Sequence, residues 1–119
     1  MSEVEPNDTL AKPQVIAAYP ALVKGSIASA TDTDYYRVTI AGGKRLVATL
    51  APNATSNYDL YVYTAAGQLM GISANGGSTP EVLTISNIGS IAAPLVLRVV
   101  RISGGTGATA GAYTLNLAP

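Results

Sequence analysis

Apolar and polar residues alternate with a period of two along most of this chain. In Tyr35-Tyr36-Arg37-Val38-Thr39-Ile40, one face carries Tyr36, Val38 and Ile40, and the other carries Tyr35, Arg37 and Thr39. In Arg45–Leu50 the apolar set is Leu46, Ala48 and Leu50. In Asp59–Tyr63, Leu60 and Val62 alternate with Asp59, Tyr61 and Tyr63. Tyr113, Leu115 and Leu117 form the last such set. A side chain points to opposite faces of a strand at each step, so these patterns predict strands with one face on a core and one in water. Leu95–Ile102 is apolar almost throughout, which suits a central strand. Leu22–Ile27, Gln68–Ser73 and Glu81–Ser86 are weaker strand candidates.

Turn residues punctuate these runs. Ala41-Gly42-Gly43-Lys44 reads as a short hairpin, and Ala65-Ala66-Gly67-Gln68 as another. Asn75–Pro80 and Ser103–Gly111 read as loops. No stretch keeps a helical period for twelve residues. Short strands at roughly ten-residue spacing predict an all-β sandwich or barrel. Residues 1–14 read as an acidic lead-in segment and residues 15–119 as the β domain.

Composition narrows the chemistry. The 119 residues include no Cys, His, Trp or Phe. Thiol and imidazole catalysis, disulfides and zinc sites built on thiolate or imidazole are therefore excluded. A chain of this length forms one domain with an ordinary core. Seven basic residues balance seven acidic ones, so no broad field draws the protein to nucleic acid or anionic lipid. No run of about eighteen apolar residues is present to span a membrane. Met1–Pro6 carries neither the basic nor the apolar region of a signal peptide.

The balance hides an asymmetry. Residues 1–34 hold five acids (Glu3, Glu5, Asp8, Asp32 and Asp34) against Lys12 and Lys24, whereas residues 35–119 hold two acids against five bases. Pro6 biases Glu5 toward an extended backbone, which places Glu3, Glu5 and Asn7 on one side with Asp8 adjacent. Such a row of oxygen donors repels itself unless a cation neutralises it. Thr31-Asp32-Thr33-Asp34 could add further oxygens, and calcium takes six to eight of them in flexible geometry. A plainer reading stands beside this one. The first group would then be a solvated tail with Asp8 capping a turn, and Asp32 and Asp34 would close Asx-turns.

The sequence also resembles a known family. Glu3-Val4-Glu5-Pro6-Asn7-Asp8-Thr9-Leu10, Gly25-Ser26-Ile27, Asp32-Thr33-Asp34-Tyr35-Tyr36-Arg37-Val38, Tyr58–Tyr63 with Gly67, and Gly111-Ala112-Tyr113-Thr114-Leu115 occur in the order found in the bacterial pre-peptidase C-terminal domain. The resemblance implies a jelly-roll β-sandwich, not itself catalytic, appended to secreted peptidases and other exported hydrolases. It implies a parent peptidase domain in the same chain, a secreted location and a monomer. The collagen-binding domains of secreted bacterial collagenases are relatives. Their acidic N-terminal segment and Asp-rich loop bind calcium. Carried over by residue, Glu3, Glu5, Asn7, Asp8 and Asp34 match ligand positions, and Gly25 and Ser26 match positions that lend carbonyls. The second loop acid of the relatives falls at Thr31, so Asp32 would have to substitute for it.

The relatives that bind collagen carry tyrosines where this chain has Val100 and Ile102. Tyr61 and Tyr63 offer a different aromatic strip, for an insoluble protein or polysaccharide polymer, or else pack as ordinary cross-strand neighbours. Three functions follow: a calcium-binding accessory module, a metal-free structural or adhesive module, and a carboxylate-pair hydrolase.

Overall fold

Residues 1–119 form nine strands in two facing sheets in the computed structural model. The strands are β1 (Gln14–Val15), β2 (Ala21–Ser26), β3 (Thr33–Ile40), β4 (Arg45–Pro52), β5 (Asn57–Thr64), β6 (Leu69–Ser73), β7 (Glu81–Ser86), β8 (Ala93–Ser103) and β9 (Ala112–Ala118). One sheet has the order β1-β3-β8-β5-β6 and the other β2-β9-β4-β7. Numbered from β2 as the first of eight, the sheets read 1-8-3-6 and 2-7-4-5. That interleaving is the jelly roll, a β-sandwich in which consecutive strands repeatedly cross between sheets. All pairings are antiparallel except the two-residue pairing of β1 with β3.

The alternation read from the sequence sorts residues between core and surface as expected. Tyr36, Val38 and Ile40 of β3 face Leu46, Ala48 and Leu50 of β4 within one cluster of buried residues. Leu60 and Val62 of β5, Leu95, Leu97 and Val99 of β8, and Leu115 and Leu117 of β9 complete its middle. β8 lies at the centre of its sheet, between β3 and β5. Its continuous apolar run fits that place, since Val96 is also buried on the outward side.

One expected hairpin is not a hairpin. Ala41–Lys44 does close a turn, with Lys44 N–H donating to Ala41 C=O at 3.1 Å. The strands it joins, β3 and β4, lie in different sheets. The Gly43 N–H instead donates to the carbonyls of Asn87 and Gly89. The Asn87 side-chain amide donates to Ile40 and Ile91 carbonyls, so the β3–β4 and β7–β8 connections are tied together. Turn chemistry alone does not distinguish a hairpin from a crossover, because both need the same reversal. Ala65–Gln68 is a true hairpin between paired β5 and β6.

Candidate metal centre

The N-terminal segment lies in the seam between the two sheets. Ser2 bridges to Lys24 in parallel, with Lys24 N–H donating to Met1 C=O and Glu3 N–H donating to Lys24 C=O. The Gln14 side chain clamps the same stretch, accepting from Val4 N–H and donating to Ser2 C=O. Further along, Tyr35 N–H donates to Asn7 C=O at 2.8 Å. The segment is therefore fastened to β2 of one sheet and β3 of the other. It bends at Glu5, so the row of donors expected for an extended chain becomes a curved one.

The curve brings the two acidic groups together. Carboxylate oxygens of Glu5, Asp8, Asp32 and Asp34 all lie within 4.8 Å of one another. Asp34 is fully buried, at the inward-facing start of β3. Glu3 adjoins the cluster, close enough to both Glu5 and Asp34 to raise their pKa values. Its Oε1 accepts from Ser26 N–H at 2.9 Å. Asn7 is fully buried beside it. Asp32 also serves its own loop, accepting from Ala28 N–H at 2.8 Å, so the local turn role and membership of the cluster coexist. Gly25 and Ser26 border the groove of about 640 Å³ that opens beside Glu3 and Glu5.

The electrostatics are those of like charges crowded together, with Asp34 out of water, Asp32 half-buried, and Glu5 and Asp8 exposed. Burial, and then contact with Glu3, push the Asp34 carboxyl up to about 10. Burial and Glu3 push Glu5 up to about 7. Asp8, though exposed, is raised mainly by its contact with Asp32. No basic group appears among the causes of these shifts. Buried oxygens of Glu3 (Oε2), Asn7 (Oδ1) and Asp34 (Oδ1) have no hydrogen-bond partner. The Asn7 amide nitrogen is unpaired as well, but a buried polar atom left unpaired costs about 1–3 kcal/mol, so the free oxygens of Glu3 and Asp34 beside further carboxylates mark a place where something positive belongs. These residues fit a metal ion with a preference for hard oxygen donors.

Behind the cluster runs a hydroxyl chain that strand alternation did not reveal. Tyr113 OH donates to Asp34 Oδ2 at 2.7 Å and is hydrogen-bonded to Tyr36 OH. Both tyrosines lie in the core, with Tyr113 edge-on to Tyr58 at 6.2 Å between ring centroids. Their sequence signal was the phenol itself, since a buried tyrosine hydroxyl needs a partner. Gly25 explains how the ring of Tyr113 fits. A Cβ there would come within 2.5 Å of the Tyr113 Cζ and hydroxyl. Gly25→Ala should therefore displace the ring, strain its bond to Asp34 and cost about 1–3 kcal/mol, read as a lowered urea midpoint. An unchanged midpoint would show that the ring moves freely.

Tyr61 and Tyr63 lie away from this site, on the outer face of the five-stranded sheet, with ring centroids 6.3 Å apart. The Arg98 guanidinium lies over the rings of Tyr35 and Tyr61 at 5.4 and 6.0 Å, and donates to Tyr63 OH.

The fold and the cluster together define a class: a small jelly-roll β-sandwich with an acidic site where its N-terminal segment meets the sheets. A solved structure is similar to this chain in fold, the pre-peptidase C-terminal domain of a collagenase from Bacillus anthracis. The two superpose with a TM-score of 0.64 over 88% of this chain and 93% of that one, at 16% sequence identity. At that identity the likeness is one of fold, and it agrees with the family that the motifs resemble. No protein-family model and no curated protein matches the sequence.

Proposed function

We propose that this chain is a non-catalytic, calcium-binding accessory domain of a secreted bacterial peptidase or related hydrolase. The observation that carries the metal is the pair of unpartnered buried oxygens on Glu3 and Asp34, where Asp34 is one of four carboxylates with oxygens within 4.8 Å of one another. Calcium is the ion chosen because every donor is a carboxylate or amide oxygen and the cluster draws on two flexible segments, whereas magnesium demands a tighter octahedron. Bound calcium would hold residues 1–8 against β2 and β3 and so fix the direction of any chain that precedes them. That would orient a peptidase domain in the same polypeptide, and would make the docking dependent on extracellular calcium.

The same carboxylates suit a hydrolase poorly. A carboxyl near 7, as at Glu5, is suited to general acid work. Glycoside hydrolysis, however, needs its two carboxyl groups about 5–5.5 Å apart for retention, or about 6.5–9.5 Å for inversion. Here one oxygen from each of four carboxylates lies within 4.8 Å of the others, a crowd of acids around one point rather than a spaced pair with water between them. A second role, contact with an insoluble protein or polysaccharide polymer, is supported by the Tyr35–Arg98–Tyr61 stack and Tyr63 on the outer sheet face.

Calorimetric titration tests the metal directly. The EDTA-treated wild type should bind calcium with a saturable heat, and Glu3→Gln/Glu5→Gln should weaken that binding at least tenfold. Identical isotherms for the two proteins would remove the site.

A further inference from the structure

The two most exposed large apolar side chains of this protein share one short loop. Ile88 is 97% exposed and Ile91 is 79% exposed, both in the connection between β7 and β8. We propose that this connection is a membrane-contact tip, which places Ile88 and Ile91 among the acyl chains of an anionic lipid surface while Lys44 and Arg45 meet the headgroups.

The tip is firmly built. Asn87 N–H donates to Lys44 C=O at 2.8 Å, and Gly43 N–H donates to the carbonyls of Asn87 and Gly89, each at 2.9 Å. The Asn87 side chain donates to the Ile40 and Ile91 carbonyls and accepts from Gly89 N–H at 3.0 Å. Gly42 lies so close to Ser90 that a Cβ there would come within 2.5 Å of the Ser90 carbonyl. These contacts satisfy the loop backbone and leave both isoleucine side chains outside it. Single exposed apolar residues are ordinary, but two held out together by a braced loop mark a contact surface.

Charge selects the partner. The chain is neutral overall, yet its charges are separated along the strands. Asp34 pairs with Val99, Asp59 with Val100 and Glu81 with Leu50, all toward the end of the sandwich that holds the metal centre. Glu3, Glu5, Asp8 and Asp32 gather around Asp34. All seven acidic side chains therefore lie at that end. The opposite end is where Ile40 pairs with Ala93 and Arg45 with Ser86. Lys44 and Arg45 are both exposed there, and the Asn87–Lys44 bond sets them directly beside the tip. A negatively charged surface attracts this end and repels the other, so it would orient the protein tip first. An acyl layer also accepts a convex apolar tip without a matching pocket. Two isoleucines expose far less than the roughly 800 Å² that each side of a stable protein interface covers. Apolar side chains flanked by cations suit interfacial binding, which scales with buried apolar area and with attraction to anionic lipid.

The contact needs no metal, so it is tested on the whole chain in EDTA and stands or falls separately from calcium binding. The wild type should co-sediment at low salt with phosphatidylcholine vesicles that contain about one third phosphatidylserine, and less as salt is added. Ile88→Ser/Ile91→Ser should lower that partitioning at least tenfold with an unchanged urea midpoint, since neither side chain belongs to the core. Lys44→Ala/Arg45→Ala should lower it on anionic vesicles and remove most of its salt dependence. Ile88→Trp gives the chain a sole tryptophan, whose emission should shift to the blue on vesicles and be quenched by lipids brominated in their acyl chains. A wild type that stays in solution beside anionic vesicles at low salt would overturn the proposal. Partitioning that survives Ile88→Ser/Ile91→Ser, or an unshifted tryptophan, would do the same. Self-association that depends on the isoleucines, without vesicle binding, would make the partner a second copy of the chain and overturn the lipid contact.

Discussion

Calcium at about one hundred times its dissociation constant should raise the melting temperature of the EDTA-treated domain by about 10 °C. An ion that binds only the folded arrangement stabilises it by RT ln(1 + [L]/Kd), about 2.7 kcal/mol at that concentration. For a domain of this size each kcal/mol moves the midpoint by about 4 °C. Selective binding to the folded state would follow from the origin of the donors in two separated segments, Glu3–Asp8 and Asp32–Asp34, which meet only when the N-terminal stretch lies along β2 and β3. The unfolded chain offers no such convergence. Glu5→Gln/Asp34→Asn should abolish the shift. It should also leave the calcium-free protein no less stable than the wild type, because it removes mutual repulsion along with the ligands. Equal melting curves for the wild type in EDTA and in millimolar calcium would refute this linkage.

Without calcium, stability should fall as pH rises from about 5 to 8. Asp34 in the folded protein releases its proton near 10 and Glu5 near 7, against ordinary values of 3.8 and 4.5. Above about pH 4.5 the unfolded chain has lost both protons while the folded chain still holds them. Unfolding therefore releases protons, and raising the pH favours it. The loss attributed to Glu5 ends near pH 7, whereas that of Asp34 continues toward pH 10. For the buried Asp34 carboxyl the retained proton can steepen the decline by up to about 1.4 kcal/mol per pH unit, and the contribution of exposed Glu5 is smaller because solvent screens it. Calcium supplies the positive charge instead, so with the ion present the slope should flatten and the affinity should rise with pH. Urea midpoints at pH 5, 6, 7 and 8, in EDTA and in calcium, measure both. A calcium-free midpoint that climbs across that range would contradict the crowding of these carboxyls.

The two results bear on function together. A domain that is tense without calcium at neutral pH and relaxed with it would hold its N-terminal segment firmly only where calcium is plentiful. That behaviour suits an exported module whose docking is completed outside the cell.

Much of the architecture was legible in the alternation. Strands β3, β4, β5 and β9 fall where the period of two placed them, with their apolar sets buried, and β8 falls where the continuous apolar run placed it. β1 was not legible, because two residues cannot show a period. The crossover after β3 was misread for a related reason: Ala41–Lys44 has the composition of a tight reversal, and only the partners of β3 and β4 reveal that the reversal changes sheets. Asp59 falls on the polar side of an alternating strand, yet it is buried. Its burial follows from neighbours that lie far away along the chain.

Residue types and their periodicity, taken alone, settled the all-β class, the inward faces of the main strands and the restriction to oxygen chemistry, since these depend on what each residue is and on its near neighbours. The tertiary structure decided which oxygens meet. Glu5 and Asp8 lie more than twenty residues from Asp32 and Asp34, and Tyr113 reaches Asp34 across 79 positions. Alternation describes one strand at a time, whereas a cation site depends on where separate strands are brought together. That is set by sheet order and by burial of the whole core.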